Sequence, residues 1–94
     1  MSELPQLTGQ EKSELRGRAM ALPVRVVVGK EGVTPALLAE LEKALVREAL
    51  VKVRFSVTDK AQKAALLEQL SQAARAAVAG TVGHTAALYR PKTE

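Results

Sequence analysis

The sequence predicts an α/β two-layer sandwich of order α-β-α-β-α-β-β, with a mixed four-stranded sheet and the helices mainly on one face. Three observations predict it. Val51, Val53, Phe55 and Val57 alternate strictly with Lys52, Arg54 and Ser56, the period-two pattern of a strand with one buried and one wet, basic face. Leu37, Leu38, Leu41, Ala44 and Leu45 recur at helical spacing between two β-branched runs. Gly83-His84 separates two short apolar runs by two residues, the length of a tight hairpin turn.

The elements follow in order. The first six residues show no periodicity and read as a flexible tail, as does the stretch 92–94; residues 7–91 form a single domain. Thr8 followed by Glu11 is a capping box that opens a helix from Gly9 to about Met20, with Leu15, Ala19 and Met20 on its apolar side and Lys12, Arg16 and Arg18 on its polar side. Pro23 ends it, because proline disfavours helical conformation at the preceding residue. Val24–Val28 is the first strand. Thr34 caps the second helix and Pro35 fits its first turn. Thr58-Asp59 caps the third, with Gln62 at the capping-box position and Leu66, Leu67, Leu70, Ala73, Ala74 and Ala77 as its buried stripe. Val78–Val82 and Thr85–Tyr89 complete the sheet as an antiparallel pair. Each strand-helix-strand step is expected to be a right-handed crossover between parallel neighbours. The face away from the helices would expose Arg25, Lys52, Arg54 and Tyr89. The pattern leaves open whether the first helix packs at an edge or over part of that face.

Composition narrows the chemistry. The chain of 94 residues has no cysteine, so disulfides, thiolate metal sites and cysteine nucleophiles are excluded. With one histidine and no clustered carboxylates, the inventory is poor for acid–base or metal catalysis, and neither an enzyme nor a cofactor is expected. His84 falls in a turn, where an exposed role with no chemistry is the ordinary reading. No apolar run is long enough to span a membrane and no secretory signal opens the chain, so a cytoplasmic protein is expected. The net charge of +4 is uneven: residues 1–30 carry +2, residues 31–50 carry −2 and residues 51–94 carry +4. A basic small domain suits a polyanionic partner. Phe55 and Tyr89 are the sole aromatics, so nucleic-acid binding is expected to rest on backbone contacts rather than on a stacking platform.

One stretch carries the most specific signal. In VRVVVGKEGVT (24–34) a strand ends in a G-x-x-G loop that runs into a helix N-terminus. Unpaired amides at the positive end of a helix dipole, with Lys30 beside them, welcome an anion such as phosphate. The plain alternative is a tight strand-to-helix turn. A second string, Gly80-Thr81-Val82-Gly83, lies within a strand and turn, which argues against phosphate binding there.

LRGRA (15–19), VVVGKEGVT (26–34), ALVREALVKVRF (44–55) and VGHTAALYRP (82–91), in this order and spacing, resemble the CRM family (chloroplast RNA splicing and ribosome maturation), in particular its single-domain bacterial YhbY-like members. The family often has histidine where this chain has Met20, places its proline one position later than Pro23, and usually has glutamate where this chain has Ala49. The resemblance implies a fold similar to the C-terminal domain of translation initiation factor three, RNA binding, and association with large-subunit ribosomal precursors. Its G-x-x-G loop corresponds to Gly29, Lys30, Glu31 and Gly32. Together with Arg16, Arg18, Arg25, Lys52, Arg54 and Arg90 these residues form the expected RNA-binding set, on a protein expected to act as a monomer; the alternative for Arg90 is a structural ion pair with a helix carboxylate. The competing expectation is a protein–protein adaptor that docks through its sheet face or its acidic second helix.

Overall fold

A computed structural model describes residues 7–91; the tails expected at 1–6 and 92–94 lie outside the described residues. Three helices form where the caps place them. α1 (Gly9–Met20) starts with the full reciprocal box, Thr8 Oγ1 accepting from the Glu11 amide at 3.1 Å and the Thr8 amide donating to Glu11 Oε1 at 2.9 Å. α2 (Pro35–Glu48) starts where Thr34 Oγ1 accepts from the Leu37 amide at 3.1 Å. α3 (Lys60–Ala74) starts where Asp59 accepts from the Gln62 amide at 2.8 Å, half of the expected box.

The strands are β1 (Val24–Val28), β2 (Leu50–Phe55), β3 (Ala77–Val82) and β4 (Thr85–Tyr89). They form one mixed sheet in the order β1-β2-β4-β3. β1 and β2 are parallel neighbours across α2, as the crossover rule requires. The second crossover departs from expectation: β3 does not pair with β2, because its hairpin partner β4 lies between them. Composition accounts for the order. Ala86, Ala87 and Leu88 are buried on both faces, as a central strand demands, whereas Gly80, Thr81 and Val82 suit an edge.

The sheet buries both faces. On one, Val26, Val28, Val51, Val53, Phe55 and Leu88 pack against Leu41 and Leu45 of α2 and Leu66 and Leu70 of α3. On the other, Leu15 and Ala19 of α1 pack against Leu50, Ala79 and Ala87. α1 therefore lies over the face opposite α2 and α3, covering β3, β4 and part of β2.

Several side chains sit differently from their sequence reading. Ala73 is exposed, and Ala77 belongs to β3, because α3 ends at Arg75 in a left-handed conformation (φ 54°, ψ 46°). Ser71 takes a buried place instead, its hydroxyl donating to the Ala76 carbonyl at 2.6 Å. Val57 lies beyond β2 and is half-buried. Met20, the last residue of α1, is 58% exposed, since it is turned about 100° around the helix from Ala19 and so lies off the buried Leu15–Ala19 stripe. Tyr89 is half-buried, packed against the α1 cluster.

Candidate RNA interface

Residues Gly29–Gly32 form a turn closed by the Gly32 amide donating to the Gly29 carbonyl at 3.0 Å. The two glycines have different reasons. Gly32 adopts φ +74°, which an L side chain rarely adopts, and a Cβ there would meet Leu66 Cδ2 at 3.3 Å. Gly29 has no such φ, and a Cβ built on it meets nothing within 4 Å. Lys30 and Glu31 are exposed, and among the described residues no carboxylate oxygen lies within 4 Å of Lys30. The backbone amides of Lys30, Glu31 and Val33 donate to no described acceptor.

Two backbone bonds fix what lies beside this loop. The Ser56 amide donates to the Val28 carbonyl, and the Phe55 amide to the His84 carbonyl, both at 2.8 Å. The G-x-x-G loop, the link from β2 to α3 and the Gly83-His84 turn thus share the end of the sheet at the C-termini of β1 and β2. Open α/β sheets bind ligands at that end. The turn has positive φ at Gly83 alone, the type II′ pattern. Lys63 Nζ lies 3.0 Å from His84 Nδ1, so the ammonium donates to the imidazole. Sequence reasoning missed Lys60 and Lys63. The signal was available: both lie in the first turns of a helix that must start at this end.

The other expected cations divide into two groups. Lys52 and Arg54 point to the α1 face, since they share the parity of Leu50 and oppose that of Val51, Val53 and Phe55. Lys52 is partly buried, its ammonium donating to the Met20 carbonyl at 3.4 Å, and Arg54 is exposed. Arg16 joins them across the face. Its aliphatic stem lies over Gly80, where an added Cβ would meet Arg16 Cδ at 2.7 Å and Cγ at 3.0 Å. Gly80 is thus a site of close helix–sheet approach, which accounts for the second G-x-x-G string without any phosphate.

Arg25, Arg18 and Arg90 lie elsewhere. Arg25 Nη2 pairs with Glu48 Oε2 at 2.9 Å, near the C-terminus of α2, a helix about 20 Å long. Arg18 lines a separate open cleft with Leu7, Glu11, Glu14 and Tyr89. Arg90 leaves β4 at the opposite end of the sheet, and its guanidinium is occupied. It donates to both carboxylate oxygens of Glu42, each at 2.8 Å, and to the Ala74 carbonyl at 3.0 Å. That bidentate bond holds the Glu42 carboxyl below its ordinary range, Arg90's charge adding to the effect, and raises the pKa of Arg90.

No group of three or more metal-ligating side chains is gathered among the described residues, and no helix there is long and apolar enough to cross a membrane. Around the loop the arrangement offers unpaired backbone amides and the unneutralised Lys30.

Known proteins resemble this chain over nearly its whole length. An RNA-binding protein of Haemophilus influenzae is 35% identical over 88 residues, spanning 94% of this chain and 89% of its own length. YqeI of Bacillus subtilis, named a probable RNA-binding protein, is 32% identical over 88 residues, spanning 94% of this chain and 92% of its own. The solution structure of a hypothetical Staphylococcus aureus protein superposes with a TM-score of 0.84 at 28% identity, covering 95% of this chain and 93% of that one. The CRS1/YhbY (CRM) domain model matches residues 7–90, and the chain belongs to that family.

Proposed function

We propose that this chain is a non-enzymatic RNA-binding protein that grips phosphates at the Gly29–Gly32 loop and assists assembly of the large ribosomal subunit by associating with its precursors in the cytoplasm. The RNA-binding names of its relatives support the first part. The observation that carries the loop assignment is Gly29. Neither its backbone conformation nor its packing requires glycine, and the absent Cβ leaves the backbone of the loop open to a phosphate that approaches from outside. A phosphate there meets the free amides of Lys30, Glu31 and Val33, the positive end of α2 and the Lys30 ammonium. Glu31 points to solvent in this reading. Phosphate contacts position a protein without reading sequence, so recognition follows RNA shape more than base order.

RNA affinity measured over a series of salt concentrations tests the loop. Lys30→Ala should weaken binding about equally across sequences and flatten the log–log salt slope by roughly 0.7–0.9, one phosphate contact. Lys30→Glu should do more harm, and Glu31→Gln should be neutral or mildly favourable. Gly29→Ala should weaken binding with an unchanged or slightly raised melting temperature, which Gly32→Ala cannot offer, since its positive φ strains any side chain. Wild-type affinity and slope in Lys30→Glu would reduce the loop to a turn. The ribosomal assignment is tested separately by sedimenting a cell extract: the protein should migrate with precursor particles rather than with free protein or mature subunits.

A further inference from the structure

The face of the sheet that carries α1 is only partly covered, because α1 lies over β3, β4 and part of β2 and leaves β1 open. Five large hydrophobic side chains are substantially exposed among the described residues, and four of them sit on this face. Val24 stands opposite Lys52 and Val27 opposite Arg54 in the parallel ladder, so each shares a face with its cation. Met20 ends α1 with its carbonyl on Lys52, and Val82 lines the cleft between α1 and the sheet together with Arg16 and Lys52. Scattered exposed hydrophobes are ordinary; four gathered around three cations are not.

The charges are equally selective. Arg16, Lys52 and Arg54 have no carboxylate oxygen within 4 Å among the described residues, whereas Arg25 and Arg90 are each neutralised. None of the four strands contains Asp or Glu. The surface therefore asks for a ligand that is negatively charged and also presents flat apolar area. Duplex RNA buries its base faces in the stack, and an acidic peptide brings charge without that area. A single strand with unstacked bases brings both.

We propose that the α1-side sheet face docks unpaired RNA nucleotides, their phosphates held by Arg16, Lys52 and Arg54 and their bases laid against Val27, Met20 and Val82. Aliphatic side chains and the Arg54 plane here replace the aromatic platform the chain lacks. The cleft between α1 and the sheet holds about 50 Å³, room for one or two waters, so bases lie across it rather than in it. Val27 precedes Gly29 by two residues, about 7 Å of strand, so one RNA segment can pass from the loop onto the face. This assignment rests on the RNA-binding reading above and adds base contacts to it.

The test compares a single-stranded RNA oligonucleotide with a duplex of the same length, by fluorescence anisotropy at several salt concentrations. The wild type should bind the single strand about ten-fold more tightly or better. The double variant Met20→Gln, Val27→Thr keeps helix and strand propensity while removing apolar surface. It should lose at least about five-fold in single-strand affinity with its salt slope unchanged, since apolar contacts release no counterions. Lys52→Ala with Arg54→Ala should instead weaken binding and flatten the slope by roughly two contacts. Thermal melts of each variant separate lost contact from lost fold. Equal affinity for single strand and duplex overturns the proposal, as does an unaffected apolar double variant, which would assign the patch to a protein partner. A wild type that binds neither RNA overturns the RNA-binding reading itself.

Discussion

Ala49 is held where alanine is uncomfortable. Its φ of 64° and ψ of −37° lie outside the regions that L residues favour, and two hydrogen bonds hold it there. Its amide donates to the Leu45 carbonyl at 2.9 Å, and its carbonyl accepts from the Arg90 amide at 2.8 Å. Strain of this kind costs on the order of 1–3 kcal/mol, and glycine gives back part of the relief through its freer unfolded chain. Ala49→Gly should therefore raise stability by about 1 kcal/mol, read in a thermal melt as roughly 4–8 °C for a domain of this size. An unchanged or lower Tm would show that the conformation is unstrained. At this scale the sequence is legible where one residue's own chemistry decides, as for the glycine demanded by the turn at Gly32. It is silent where the partner is remote. Nothing near Arg90 announces Glu42, 48 positions away, and nothing near Gly29 says that its Cβ would meet empty space.

The bidentate Arg90–Glu42 pair ties elements rather than residues. It joins the end of β4 to the middle of α2, and the third bond, to the Ala74 carbonyl, secures the last turn of α3. The bound carboxyl of Glu42 ionises more readily than it does in the unfolded chain, where its pKa is about 4.5. The pair's contribution is thus whole above pH 4.5 and fades as pH falls through the lowered folded value. Wild type should be more stable than Glu42→Gln at pH 7, modestly because Glu42 is half in solvent, and the difference should vanish in the acid range. Denaturant melts at pH 7 and below pH 4 check this, and a gap that persists in acid would assign the effect to packing. Arg90→Lys should lose stability while leaving RNA affinity unchanged, since a lysine cannot reproduce the fork. Element boundaries were legible for a local reason, because Thr8, Thr34 and Asp59 each announce a helix start. The end of α3 was not. The run from Ala73 to Ala79 is apolar but for Arg75, and six small or branched apolar residues around one charge carry no clear period, so the pattern could not tell exposed Ala73 from buried Ala74, nor helix from strand.

Over the whole molecule, one core joins five elements: Val28 of β1, Leu41 and Leu45 of α2, Phe55 of β2, Leu70 of α3 and Leu88 of β4 belong to a single cluster. Phe55→Ala should cost about 3–5 kcal/mol and lower one cooperative transition rather than split it. Lys52→Ala with Arg54→Ala, on the opposite face of the same strand, should leave the melt nearly unchanged. Two transitions, or equal losses in both variants, would contradict a single core. The strand order was not legible, because a hairpin pattern does not say which of its strands turns inward. The position of α1 was not legible either, since only Leu15 and Ala19 of its twelve residues are buried, too few to mark the surface they meet.

The insertion of β4 between β2 and β3 bears on when the protein can fold during its own synthesis. β4, which follows β3 in the chain, is central to the sheet, and α1, which precedes all four strands, packs on β3 and β4. A nascent chain that stops short of Thr85 has a gap at the centre of its sheet and a first helix with little to rest on. Folding of the domain therefore waits until Tyr89 has emerged, and the basic sheet face is assembled only then, so a growing chain does not present that surface before β4 is in place.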